Sequence, residues 1–201
     1  MLKVGLTGSI AVGKTFVLGV LRELGCYGID ADATAREVVV PGRQGLNAVV
    51  ETFGSEILKE DGTLDRTKLG SIVFADEVKR LRLNSILHPF IIAEQDQRMR
   101  EWEQQNPNGI AVVDAALMIE SGGYQRFDKL IVVHCRPEVQ LERLMTRGLS
   151  REEGKKRIAA QMSQDEKKKH AHFLIETSEG FESVRRQTEA VFRELRSLAN
   201  G

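Results

Sequence analysis

Gly8-Ser9-Ile10-Ala11-Val12-Gly13-Lys14-Thr15 fits the pattern G-x-x-x-x-G-K-[ST], and its position in the chain decides how the rest is read. Before it, Leu2 to Leu6 is a short apolar run with the character of a buried strand. After it, Val17, Leu18, Leu21 and Leu24 recur at helical spacing until Gly25. Strand, glycine-rich turn and helix is the arrangement that lets backbone N–H groups wrap a phosphate chain at a helix N-terminus. In this reading Lys14 reaches the β- and γ-phosphates of a nucleotide, and the Thr15 hydroxyl is a ligand for Mg²⁺. Gly8, Ala11, Val12, Gly13 and Phe16 complete the nucleotide-binding stretch.

Four further strands are expected: Cys26 to Ile29, Ile110 to Val113, Leu130 to Cys135 and Phe173 to Ile175. Helical patterns separate them. The span from Ala33 to Leu87 is mostly helical, broken at Pro41-Gly42, Phe53-Gly54 and Asp61-Gly62. Asp65 and Asp76 stand where N-caps belong. Because a residue before proline is pushed away from helical geometry, a boundary or kink is placed at His88, with a further helix from Pro89 to about Gln105. Helices also cover Pro137 to about Thr146 and Phe181 to Leu198. Alternating strands and helices point to a parallel sheet in a three-layer α/β P-loop NTPase fold. The expected organisation is one unit with a core of about 1–32, 107–146 and 170–201, a helical substrate-binding insertion of about 33–106, and a mobile lid of about 147–169.

Composition narrows the partners. The 201 residues carry 29 Lys+Arg against 29 Asp+Glu, so no bulk positive charge draws the chain to nucleic acid or an anionic membrane. Any phosphate binding must be local. The longest apolar run, Ile110 to Ile119, contains Asp114 and is too short to span a bilayer, which takes about 20 residues. Two cysteines far apart, Cys26 and Cys135, suit buried free thiols in a reducing cytoplasm.

Asp30 and Asp32 follow the second strand, on the same rim of the sheet as the loop. One can act as general base for an attacking hydroxyl, while both can also cap the helix through Arg36. Asp114 ends a strand of four apolar residues, where a carboxylate approaches the Mg²⁺ shell. Arg143 and Arg147, four apart on one helical face, are the arginines best placed to neutralise a transferred phosphoryl group. His88 is either a structural histidine or a substrate contact. The run Lys167-Lys168-Lys169-His170 reads as solvated.

Taken together, these segments resemble the dephospho-coenzyme A kinase family over nearly the whole chain. The resemblance rests on Val4-Gly5-Leu6-Thr7-Gly8, on Asp30-Ala31-Asp32 with Ala35-Arg36-Glu37-Val38-Val39 and Pro41-Gly42, and on Leu64-Asp65-Arg66 and Leu87-His88-Pro89. Val113-Asp114, then Arg143, Arg147, Arg157-Ile158 and Gln161, continue it. It implies transfer of the ATP γ-phosphoryl to the ribose 3′-hydroxyl of dephospho-coenzyme A, with Asp32 as base, Arg147 on the nucleotide, and Arg36, His88 and Asp114 on the substrate side. The chain departs from the family's usual pattern at Ala11 and Val12, where glycine and serine are commoner, at Phe16 in place of threonine, and at Ala115-Ala116 in place of Pro-Leu. A kinase acting on a nucleoside monophosphate and a nucleotide-dependent switch protein are the alternatives. The Asp-Ala-Asp and His-Pro segments argue against the first, and the lack of an Asn-Lys-x-Asp segment against the second.

Overall fold

The structure, a computed structural model, describes residues 1–74 and 76–201. Five strands, β1 (Leu2–Thr7), β2 (Tyr27–Asp30), β3 (Ile110–Asp114), β4 (Lys129–His134) and β5 (Phe173–Glu176), form one parallel sheet in the order β2-β3-β1-β4-β5. Every expected strand is present, although Cys26 lies just before β2 and Cys135 just after β4. The register pairs Leu6 with Asp114 and Asp30 with Asp114, so the carboxyl ends of three adjacent strands share one rim. The chain leaves β1 toward β2 on one side of the sheet and leaves the adjacent β3 toward β4 on the other, so the carboxyl ends of β1 and β3 form a topological switch point, where such folds bind ligands.

Helix α1 (Lys14–Glu23) follows the glycine-rich turn, and the terminal helix α9 (Phe181–Asn200) packs beside it. Val17, Leu18 and Leu21 from α1 and Val184, Val191 and Leu195 from α9 meet Val4, Leu6, Val112, Ile131 and Ile175 in one apolar cluster. On the other sheet face a side chain at Gly5 would run into Met118, Leu130 and Phe127, so the segment after β3 packs closely there. Burial pushes the Cys26 thiol up to about 12 and raises that of Cys135 as well. Both are buried free thiols, as expected, and neither is activated.

The chain divides into two compact units, Met1–Asp30 with Trp102–Gly201, and Ala31–Glu101. The second is built from α2 (Ala31–Glu37), α3 (Gln44–Phe53), α4 (Arg66–Phe74) and most of α5 (Glu77–Gln105). Its core gathers Val38, Leu46, Val49, Ile57, Leu69 and Val73, and Arg98 on α5 joins α2 through Glu37. Asp65 caps α4 by accepting from Lys68 N–H at 3.0 Å, and Asp76 caps α5 by accepting from Val78 N–H at 2.9 Å. The expected boundary at His88 is absent: α5 runs unbroken through Pro89. A proline in a helix interior costs about 3 kcal/mol. Here Leu83, Ile86, Leu87, Phe90 and Ile91, on both sides of it, pack against the unit's core and hold the helix together.

The stretch expected to be a charged cover is folded as α7 (Arg151–Ala159) and α8 (Gln164–Lys168), which follow α6 (Pro137–Thr146). A reciprocal capping box between Ser150 and Glu153 starts α7, and Ser163 caps α8. Lys167 corrects the solvated-run reading. Its side chain is fully buried, and only Lys169 of the three lysines is well exposed. Three aliphatic stems on a short helix cannot all face water, and the one on the inner face finds Glu120 and the Ala116 carbonyl.

Candidate active site

The turn between β1 and α1 is shaped by what it must avoid. A Cβ on Gly8 would sit 2.3 Å from the Val133 carbonyl oxygen, so only glycine permits the close pass of this backbone over β4. Gly13, the residue before α1, has φ 94°, again a glycine conformation. Ala11 is different. It holds φ 62° with a side chain attached, the one non-glycine residue with positive φ among those described, at a cost of about 1–2 kcal/mol.

Around the turn, a cavity of about 430 Å³ is lined by Lys14, Thr15, Phe16, Arg143, Arg147 and Phe181, among others. The Lys14 ammonium lies 4.0 Å from Asp114 Oδ1, which joins the loop to the end of β3. Ala11 and Gly13 also line this cavity, and Gly8 and Val12 of the same turn are buried. Phe16 meets Phe181 with ring centroids 4.9 Å apart, giving the cavity an aromatic wall. Thr15 is exposed at the first turn of α1.

The two arginines treated alike in sequence are separated by the fold. Arg143 sits within α6, in the core, and its guanidinium donates to Ala11 O at 3.3 Å, Thr177 Oγ1 at 3.0 Å and Thr177 O at 2.6 Å. These bonds fix it to the glycine-rich turn and to the residue after β5. Arg147 is the C-cap of α6, exposed at the cavity. Asp30 ends β2, and Asp32 lies in the first turn of α2, where an acid is favoured by the helix dipole. Asp32 and Arg36 are exposed on α2, and His88 is exposed on α5. These three belong to the helical unit, and the nucleotide-loop residues to the other.

Four residues of the site were given no role at the phosphate loop by the sequence, although Gln161 carries part of the family resemblance. Thr177, buried at the edge of the cavity, places its hydroxyl 2.7 Å from Val12 O. Gln140 and Gln161 hold Ile10 from two sides, donating to Ile10 O at 2.8 Å and accepting from Ile10 N–H at 2.7 Å. Phe181 looked like the first residue of an amphipathic helix and nothing more. Only an isolated polar residue on an otherwise apolar helical face, as Gln140 is on α6, hints at such a role.

For a divalent cation the donors available are the Thr15 hydroxyl and the Asp114 carboxylate. Among the described residues no group of three or more His, Cys, Asp or Glu side chains is placed to hold a metal. Two oxygen donors next to a phosphate loop fit Mg²⁺, which keeps several waters and takes other ligands from substrate phosphates. Among the described residues no helix is long and apolar enough to cross a membrane.

A glycine-rich loop at the switch point of a parallel sheet, with a lysine that meets a strand-end carboxylate and lines one cavity together with arginines, defines a P-loop kinase. A dephospho-CoA kinase of Campylobacter jejuni superposes with a TM-score of 0.74 at 30% identity, covering 97% of each chain. A shikimate kinase from Acinetobacter baumannii shares the fold at a TM-score of 0.53 and 18% identity, covering 98% of this chain and 94% of its own. The sequence profile of dephospho-CoA kinases matches residues 2–182. The dephospho-CoA kinase of Carboxydothermus hydrogenoformans is 44% identical over 185 residues, 92% of this chain and 89% of that one. That of Bacillus anthracis is 42% identical over 191 residues, covering 94% and 95%. The chain belongs to the dephospho-CoA kinase family. It is a kinase of the last step of coenzyme A biosynthesis.

Proposed function

We propose that this chain transfers the γ-phosphoryl of ATP in line to the ribose 3′-hydroxyl of dephospho-coenzyme A, with Asp32 as general base. The O3′–phosphorus bond forms as the bond between the γ-phosphorus and the β,γ-bridging oxygen breaks. The hydroxyl proton passes to the Asp32 carboxylate, and ADP leaves. Lys14 and Arg147 stabilise the charge that spreads over the phosphoryl oxygens. The turn from Gly8 to Gly13 cradles the phosphates, and Phe16 and Arg143 border the nucleotide. Arg36 and His88 of the helical unit, together with Asp114, bind the acceptor. In this reading the helical unit is the acceptor-binding insertion, the segment of about 147–169 with α7 and α8 is the lid, and the enzyme works in the cytoplasm.

Thr15 and Asp114 would hold Mg²⁺, which would supply neutralisation of phosphate charge. The observation that carries the reading is the Lys14 ammonium, 4.0 Å from the carboxylate of Asp114 and bordering a cavity that Arg147 also lines. A coupled assay for ADP over a panel of acceptors tests it: dephospho-coenzyme A, AMP, UMP and water. Turnover is expected with dephospho-coenzyme A alone. Turnover only with a nucleoside monophosphate would overturn it.

A further inference from the structure

Three consecutive carbonyls of the phosphate loop are each held by a different side chain. Gln140 Nε2 donates to Ile10 O at 2.8 Å, Arg143 Nη1 to Ala11 O at 3.3 Å, and Thr177 Oγ1 to Val12 O at 2.7 Å. In a planar trans peptide, the C=O of one residue and the N–H of the next point in opposite directions. Holding each carbonyl of Ile10, Ala11 and Val12 to its donor therefore aims the N–H that follows it, of Ala11, Val12 and Gly13, away from that donor. Successive amides aimed together form an anion-binding concavity.

The orientation of Gln140 is itself determined by the fold. Cys135 N–H, a backbone donor that cannot be reversed, donates to Gln164 Oε1 at 2.9 Å. Gln164 must then present its Nε2, which donates to Gln140 Oε1 at 2.8 Å. Gln140, only 1% exposed, is left with its Nε2 facing Ile10 O. Gln161 Oε1 takes the Ile10 N–H at 2.7 Å, so the residue before Ala11 is gripped at both backbone groups. This bracing is placed where it is needed. Ala11 holds φ 62°, a conformation that glycine adopts about as readily as negative φ and alanine does not. A strained residue persists when its surroundings over-determine it.

We propose that Gln140, with Arg143 and Thr177, is a positioning residue for the reaction: it holds the left-handed Ala11 turn so that the amides of Ala11, Val12 and Gly13 face the nucleotide phosphates. The proposal rests on the assignment of this loop to ATP, made above.

The test is ATP affinity by titration calorimetry, together with the KM for dephospho-coenzyme A. Wild type and Gln140→Leu are compared, and the same pair is made in an Ala11→Gly background. In the native background Gln140→Leu is expected to weaken ATP binding about tenfold, which is about 1.4 kcal/mol, while the acceptor KM moves by less than about twofold. In the Ala11→Gly background, where the turn needs no brace, the same change should cost only about twofold. A residue that merely fills space would cost the same in both backgrounds, and that outcome overturns the proposal, as does unchanged ATP affinity in Gln140→Leu. If Gln140→Leu does not fold by circular dichroism, Thr177→Val in the same two backgrounds gives the same comparison, with the same outcomes deciding. A wild-type protein that does not bind ATP, or a Lys14→Ala variant that binds it as well as wild type, would overturn the site assignment and the bracing with it. Tight wild-type binding with no background dependence removes the bracing alone.

Discussion

Lys167 Nζ lies 2.8 Å from Glu120 Oε1, with the lysine side chain wholly out of water and the carboxylate about one-quarter exposed. The same ammonium donates to Ala116 O at 2.7 Å, while Glu120 Oε1 accepts from Met162 N–H at 3.2 Å. The pair therefore ties α8 and the turn before it to the segment following β3. Burial, opposed by Glu120, holds the Lys167 ammonium below its usual range, and repulsion from Lys14 acts the same way.

Removing one member of a buried pair strands the other, so Lys167→Ala should destabilise the protein by about 3 kcal/mol. Glu120 keeps some contact with water, which places the effect toward the lower end of the usual range. Urea unfolding followed by circular dichroism would show the midpoint fall. An unchanged midpoint would mean that the pair contributes nothing net.

Stability should also fall as the solution is acidified through the histidine range. Burial, helped by the nearby Lys168 ammonium, holds His134 below the ordinary imidazole value of 6.5. Between its folded value and 6.5 the unfolded chain binds more protons than the folded one, so the His134 contribution is intact above 6.5 and is lost as pH drops below it. The urea midpoint measured from pH 7.5 to pH 5 should decline, and His134→Gln should flatten part of that decline. Identical pH profiles for the two proteins would refute the assignment.

Asp32→Asn keeps the size of the side chain and removes its basicity. Turnover of dephospho-coenzyme A should drop by about 10²- to 10⁴-fold, with ATP affinity unchanged by calorimetry. Equal turnover would remove Asp32 from the role of base.

Arg143 and Arg147 should now behave differently. Arg143→Ala leaves the carbonyls of Ala11 and Thr177 without their donor, and is expected to cost about 1–3 kcal/mol of stability along with ATP affinity. Arg147→Ala, at an exposed helix end, should lower kcat with a change in stability within about 0.5 kcal/mol. Thermal melts and kinetics on the two variants check this, and matching losses of stability would contradict the division of labour.

Much of the core was legible because its signals are local. Four apolar residues ending in Asp114 can hardly be anything but a buried strand, and Asp65 and Asp76 cap their helices through contacts two or three residues away. Reading failed where distant contacts override local preference. Pro89 is expected to end or kink a helix, and packing on both sides of it carries α5 through with no boundary there. Lys167 should be solvated, yet its partners lie 47 and 51 residues away. Arg143 and Arg147 look equivalent at a spacing of four, and only the position of Thr177, 34 residues on, tells them apart.

What the sequence determined by itself is the phosphate-binding turn and the parallel α/β architecture, because each rests on spacing within a few tens of residues, and the family, through a resemblance that runs over nearly the whole chain. Tertiary structure decided the rest: the strand order that puts the turn at the switch point, the burial of Lys167, and the side chains that hold Ile10, Ala11 and Val12. A hydrogen bond to a backbone carbonyl needs only a donor at the right point in space. Gln140 and Thr177 reach the loop from 130 and 165 residues away, so no pattern in the neighbouring sequence announces them.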